Sequence, residues 1–190
     1  MPGWRSFFAV ELSKEIEGGI SKIQEQLKRK AEGVRWVRPA GIHLTLKFLG
    51  EVDPDRIEEI VRKAGEAVEG VGPFTIRITG GGGFPNVKNP RVIWIGVEDQ
   101  SGFLRQLQTR LETGLEELGF KREERNYTPH LTLGRVRSVK GKGAFTQALE
   151  DMGDSDLGTM EVREITLFRS ELKPTGAEYT KLRTVPFKIP

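Results

Sequence analysis

The chain has two histidines, and both stand in the same four letters. Residues 43–46 and residues 130–133 each read His-Leu-Thr-Leu. On a β-strand, side chains alternate between faces, so residues i and i+2 share a side, about 7 Å apart. Leu44 and Leu46 then point into a core, while His43 and Thr45 share the other face. The same parity sets Leu131 and Leu133 against His130 and Thr132. Each motif therefore presents an imidazole and a hydroxyl side by side.

Two such pairs facing each other suit displacement at phosphorus. One base takes the proton of the attacking oxygen, and one acid gives a proton to the leaving oxygen. An ordinary imidazole, with a pKa near ~6.5, serves either role around neutral pH. Threonine hydroxyls donate hydrogen bonds to non-bridging oxygens, where negative charge sits. Two histidines and no cysteine leave little for a histidine- or thiolate-based metal centre, so no metal and no cofactor are expected.

The elements around the motifs repeat in the same order. Phe7–Leu12 reads as a short apolar strand, and Ser13 caps a helix with Ile16, Ile20, Ile23 and Leu27 at helical spacing. The first His strand comes next, then Asp53-Pro54 opening a helix with Ile57, Ile60, Val61, Ala64 and Val68 inward, then strand 74–80. The pattern restarts at residues 91–98. Ser101 caps a helix bearing Leu104, Leu107, Leu111, Leu115 and Leu118, and the second His strand comes after it. A short helix around Ala144–Met152, a strand around Val162–Phe168 and a last strand near Pro186 complete it. His43 lies 36 residues after Phe7, and His130 lies 37 after Ile93. This periodicity predicts an internal duplication. The fold class is α+β: a bilobal, duplicated, pseudo-twofold domain over residues 1–190, with antiparallel sheets lining a central cleft and helices outside.

Composition sets the remaining bounds. The chain has 190 residues, 30% of them charged, and a net charge of +3. Positive charge concentrates where the motifs are: residues 1–50 hold 9 Lys/Arg against 5 Asp/Glu, and residues 101–150 hold 9 against 6. Basic surroundings suit an anionic ligand. No apolar stretch approaches the roughly 18 residues of a membrane span. The opening MPGWRSFFAVELSKEI turns charged too soon for a signal peptide, so a cytoplasmic, monomeric protein is expected.

Several neighbours are candidates on the same grounds. Arg135 follows the second motif, where strand parity turns it away from His130 unless Gly134 ends the strand or bulges it. Lys47 has the parity of His43 and Thr45, and Phe48 that of the core. Trp36, Phe84 and Trp94 are core residues or platforms for a nucleobase. Gly80–Gly83 lacks the Lys-Ser/Thr of a phosphate-binding P-loop and reads as a mobile loop near the cleft.

With FFAVEL, VRWVRPAGIHLTLKFLG (34–50), GGGFPNVKNPRVIWIGV (81–97) and YTPHLTLGRV (127–136) in view, the chain resembles the two-histidine (2H) phosphoesterase superfamily. Within it, the chain is most similar to the RNA 2′,3′-cyclic phosphodiesterases, also called 2′-5′ RNA ligases. It departs from their pattern at Ala40-Gly41-Ile42, where relatives often carry Asn. The resemblance implies water opening a 2′,3′-cyclic phosphate at an RNA end to leave a 2′-phosphate. It implies His43 as proton donor and His130 as proton acceptor, with Thr45, Thr132 and Arg135 on the phosphate. Ligation of RNA ends, hydrolysis of small cyclic phosphates or nucleotides, and RNA-end binding without turnover are the alternatives it leaves.

Overall fold

The computed structural model of the chain describes residues 3–140, 142–174 and 176–188. Met1 and Pro2 of the opening segment, and Ile189 and Pro190 of the last one, lie outside the described residues. In chain order the elements are β1 (Trp4–Glu11), α1 (Lys14–Lys28), β2 (Glu32–Trp36), β3 (His43–Val52), α2 (Ile57–Val68), β4 (Phe74–Phe84) and β5 (Val92–Glu98). Then come α3 (Phe103–Glu116), β6 (His130–Lys140), α4 (Lys142–Asp151), β7 (Asp156–Val162), β8 (Glu164–Lys173) and β9 (Gly176–Pro186). Among the described residues, no helix is long and apolar enough to cross a membrane.

The strands form two antiparallel sheets, one in the order β3-β1-β8-β9 and the other β2-β6-β5-β4-β7. The duplication is visible in the pairing. β1 lies between β3 and β8, and β5 lies between β6 and β4. Each His strand thus pairs with the first strand of its own half, and that strand's other neighbour comes from the opposite half. Neither sheet can be completed by one half of the chain alone. The expected single strand around 162–168 is in fact two. β7 ends in the five-stranded sheet, and β8 starts in the other just beyond Arg163.

The helices back the sheets along their apolar stripes. Ile16, Ile20 and Leu27 of α1, and Leu104, Leu107, Leu111 and Leu115 of α3, are buried in one core with Leu44, Leu46, Leu131 and Leu133. Removing such side chains from water contributes roughly 25 cal/mol per Å² of apolar area. Of the predicted caps, Ser13 holds, Asp53 caps a short 3-10 turn (Pro54–Arg56) that leads into α2, and the α3 cap shifts. Ser13 accepts from Ile16 N at 3.3 Å. At α3 the capping position is Gly102, at φ +75°, and the first turn is held by both Ser101 and Asp99. The Asp99 carboxylate accepts from Leu104 N at 2.6 Å.

Gly80–Gly83 is not a loop. It lies in β4, antiparallel to β5. Two of its glycines are there because space is short: a Cβ at Gly83 would fall 2.5 Å from Pro90, and one at Gly81 2.9 Å from the Trp94 carbonyl.

Candidate active site

His43 and His130 are the first residues of β3 and β6. Each ring is anchored in the same manner. His43 Nδ1 lies 2.9 Å from the carbonyl of Gly41, and His130 Nδ1 lies 2.8 Å from that of Thr128. A carbonyl can only accept, so Nδ1 carries the hydrogen in both rings. In the neutral ring, Nε2 then keeps its lone pair.

Both strands carry a bulge at the same place in the motif. Ala9 lies opposite Thr45 and Phe8 opposite Lys47, which leaves Leu46 as the extra residue of β3. Trp94 lies opposite Thr132 and Ile93 opposite Gly134, which leaves Leu133 as the extra residue of β6. A bulge shifts the alternation by one residue. Two sequence expectations fall to it. Lys47 is not beside His43 but buried at 4% exposure on the core side. Phe48 is not core; it is 61% exposed, on the face of Phe7 and His43.

The second bulge does for Arg135 what parity alone would not. Thr132 and Arg135 lie opposite Trp94 and Val92, which share a face of β5. Arg135 is therefore on the face of His130 and Thr132. Its charge is felt by Tyr179 of β9, in the other sheet, so it acts across the cleft. The bulged backbones are held from behind by buried polar side chains. Gln24 of α1 donates through Nε2 to Leu133 O at 2.9 Å and Val37 O at 2.8 Å. Glu112 of α3 accepts from Lys47 Nζ at 2.6 Å.

The two histidines differ in surroundings. His43 stacks on Phe7, with ring centroids 4.6 Å apart, and meets the edge of Tyr179 at 4.9 Å. Phe7, Ala9 and Phe168 form a small buried cluster beneath it. Burial lowers the His43 pKa to about 4, partly offset by the bond to Gly41. Burial raises Tyr179 above its ordinary value, and the charges of Arg135 and Arg5 oppose that. His130 instead meets the edge of Phe84 at 5.6 Å, and Phe84 stacks on Trp94 at 5.0 Å. Thr45 and Thr132 are both half-buried beside their histidines. Tyr127, three residues before His130, donates to the Thr45 carbonyl at 3.1 Å and ties the two motifs together. Among the described residues, no group of three or more His, Asp or Glu could hold a metal ion.

Of the aromatic candidates, Phe84 reaches the cleft with Trp94 beneath it. Trp36 does not: it lies opposite Gly134, whose parity is inward. Sequence reasoning misses Phe7, Phe168, Tyr127 and Tyr179. Only the alternation of Phe7 and Ala9 against buried Phe8 carries a signal for the first.

Two successive matches to the LigT like Phosphoesterase family cover residues 10–94 and 95–179. The chain belongs to this family. It is an enzyme, a LigT-like phosphoesterase, and the double match follows the duplication seen in the sheets. It is similar to the RNA 2′,3′-cyclic phosphodiesterase of Methanothermobacter thermautotrophicus, 38% identical over 94% of this chain and 96% of that one. That of Thermotoga maritima is 34% identical over 97% and 96%. Among solved structures, TT0787 of Thermus thermophilus covers 96% of this chain and 97% of its own, with a TM-score of 0.81 and 30% identity. E. coli LigT complexed with 3′-AMP covers 98% and 99%, with a TM-score of 0.74 and 25% identity.

Proposed function

We propose that this LigT-like phosphoesterase hydrolyses RNA 2′,3′-cyclic phosphate ends to 2′-phosphomonoesters, without a metal, as one bilobal unit. The observation that carries the reading is the matched anchoring of two imidazoles. Each has Nδ1 tied to a backbone carbonyl and a threonine on the same strand face. The curated relatives named RNA 2′,3′-cyclic phosphodiesterases support the substrate class.

In the proposed reaction His130 Nε2 takes a proton from water as its oxygen attacks phosphorus. The bond from phosphorus to the 3′ oxygen breaks, and His43 Nε2 gives that oxygen a proton. The products are a 2′-phosphate and a free 3′-hydroxyl. Thr45 and Thr132 donate to the non-bridging oxygens, and Arg135 balances their charge. His43 is neutral at neutral pH without substrate, because burial disfavours the imidazolium. An anionic phosphate beside Nε2 favours the charged form, so the donor proton arrives together with the substrate. Phe48, exposed beside Phe7, offers a face on which a terminal base can stack.

The test is a product assay on a short RNA ending in a 2′,3′-cyclic phosphate, in excess EDTA. A 2′-phosphate end is expected from the wild type and none from His43→Ala or His130→Ala. RNA that binds but stays cyclic overturns the reading and leaves a binding module. Joining to a 5′-hydroxyl RNA identifies a ligase.

A further inference from the structure

Several strand cations of this protein are matched to carboxylates. Lys47, Arg77, Lys181 and Arg183, spread over three strands, pair with Glu112, Asp156, Glu11 and Glu58. At the β2 and β6 end of the cleft two cations face each other instead. Arg35 of β2 lies directly opposite Arg135 of β6, and Arg137 stands two residues further along β6. Like charges directly opposite on a sheet repel. Among the described residues none of the three has a carboxylate within ion-pair distance. The acids of the facing β8–β9 hairpin, Glu171 and Glu178, are paired with Arg169 and Lys173.

Arg35 also reaches across the cleft. A Cβ at Gly176, the first residue of β9, would lie 3.7 Å from an Arg35 guanidinium nitrogen. The guanidinium therefore bridges the five-stranded sheet and the hairpin of the other. Arg135, opposite Arg35, acts on Tyr179, whose ring meets His43 at 4.9 Å.

We infer that Arg35, opposite Arg135, forms a second phosphate subsite that holds the internucleotide phosphate next to the terminal nucleotide. The inference rests on the proposed reaction at the His43–His130 pair and adds its substrate class: chains rather than cyclic mononucleotides. An anion between Arg35 and Arg135 relieves their repulsion, and a planar guanidinium bonds phosphate through two parallel N–H donors. A mononucleotide 2′,3′-cyclic phosphate has no second phosphate and cannot use the subsite.

The experiment compares uridine 2′,3′-cyclic phosphate with a tetranucleotide ending in the same group. Arg35→Met should raise KM for the tetranucleotide by about tenfold, the size of one lost charged hydrogen bond, with kcat kept. KM for the mononucleotide should stay within about twofold on the same reasoning. The log–log salt slope of kcat/KM for the tetranucleotide should flatten by about 0.7, one single-strand phosphate contact. Arg110→Met, an exposed arginine of α3 outside the cleft, is the control and should change neither substrate. Equal effects on both substrates, no effect on either, or an equal effect of Arg110→Met overturns the inference. If Arg35→Met does not fold, Arg35→Lys decides by the same selectivity, since it keeps the charge and loses the fork. If the wild type turns over neither substrate, the proposed reaction is wrong. The subsite is then read by titrating a tetranucleotide 2′-phosphate against uridine 2′-phosphate. Selective weakening of the tetranucleotide in Arg35→Met supports the subsite, and uniform or absent weakening overturns it.

Discussion

The two His-Leu-Thr-Leu strands begin alike, bond their histidines to the same backbone position and bulge at the same leucine. Beyond the bulge they diverge. The first strand turns Lys47 inward and Phe48 to the cleft; the second turns Gly134 inward and Arg135 to the cleft. Behind them, the first bulge is tied by the buried Lys47–Glu112 ion pair, the second by the neutral amide of Gln24. Duplication has kept the backbone and the pair of imidazoles. Divergence has acted on the side chains that the bulge swings into the site. One half became an apolar floor that suppresses the charge of its histidine; the other became a cationic rim.

If the halves share the chemistry equally, losing either histidine has the same consequence. His43→Ala and His130→Ala should each cut turnover of a cyclic-phosphate-ended RNA by about 10²–10⁴-fold, the usual share of general acid–base catalysis. A large loss in only one of them would break the comparison.

The two bulge anchors should differ in cost. Glu112→Ala leaves the Lys47 ammonium buried and unpaired, which should lower the stability seen in urea unfolding by about 3–5 kcal/mol. Gln24→Ala removes two hydrogen bonds from neutral carbonyls and should cost about 1–3 kcal/mol. The double variant Lys47→Met, Glu112→Leu should recover most of the loss, because no lone charge remains. Equal costs at Glu112 and Gln24 would mean that the ion pair is no more demanding than the amide.

Acid should reveal the burial of His43. His43 has a folded pKa of about 4 against about 6.5 in the unfolded chain. Between these values the unfolded chain binds more protons, so stability rises with pH there and falls on acidification. Over that window His43 should account for a loss of up to about 3 kcal/mol. Unfolding curves of His43→Asn between pH 7 and pH 4 should lack this component.

The smallest effects sharpen the comparison at the diverged residues. Arg135→Met should lower kcat/KM about tenfold or more through loss of a charged phosphate contact. Phe48→Ala should cost about 1–3 kcal/mol of binding for one stacked base and leave stability nearly unchanged, because the ring is exposed. Both appear in steady-state kinetics on one oligonucleotide.

Much of this is legible in the sequence. Period-two alternation places His43 with Thr45 and His130 with Thr132. Period-3.6 spacing finds the buried stripes of α1 and α3, and the repeated order of elements points to the duplicated α+β fold. The errors cluster at particular residues. Alternation alone puts Lys47 and Phe48 on the wrong faces, because a bulge exists only in the pairing of two strands, and β1 lies some 35 residues away in sequence. Gly80–Gly83 reads as a loop because Gly83 fits β4 only through its closeness to Pro90.

The sequence by itself determined the candidate set: two imidazoles, two hydroxyls and the strands that keep each pair on one face. These follow from alternation, a property of the single chain. Tertiary structure decided which residues beyond the threonines enter the cleft. It also decided that His43 is stacked into an apolar cluster while His130 meets the edge of Phe84, and that Arg35 stands opposite Arg135. Those outcomes depend on strand register, exchange of strands between the halves and the partners of buried charges. Each of these is fixed by contacts between distant segments rather than by neighbours in the chain.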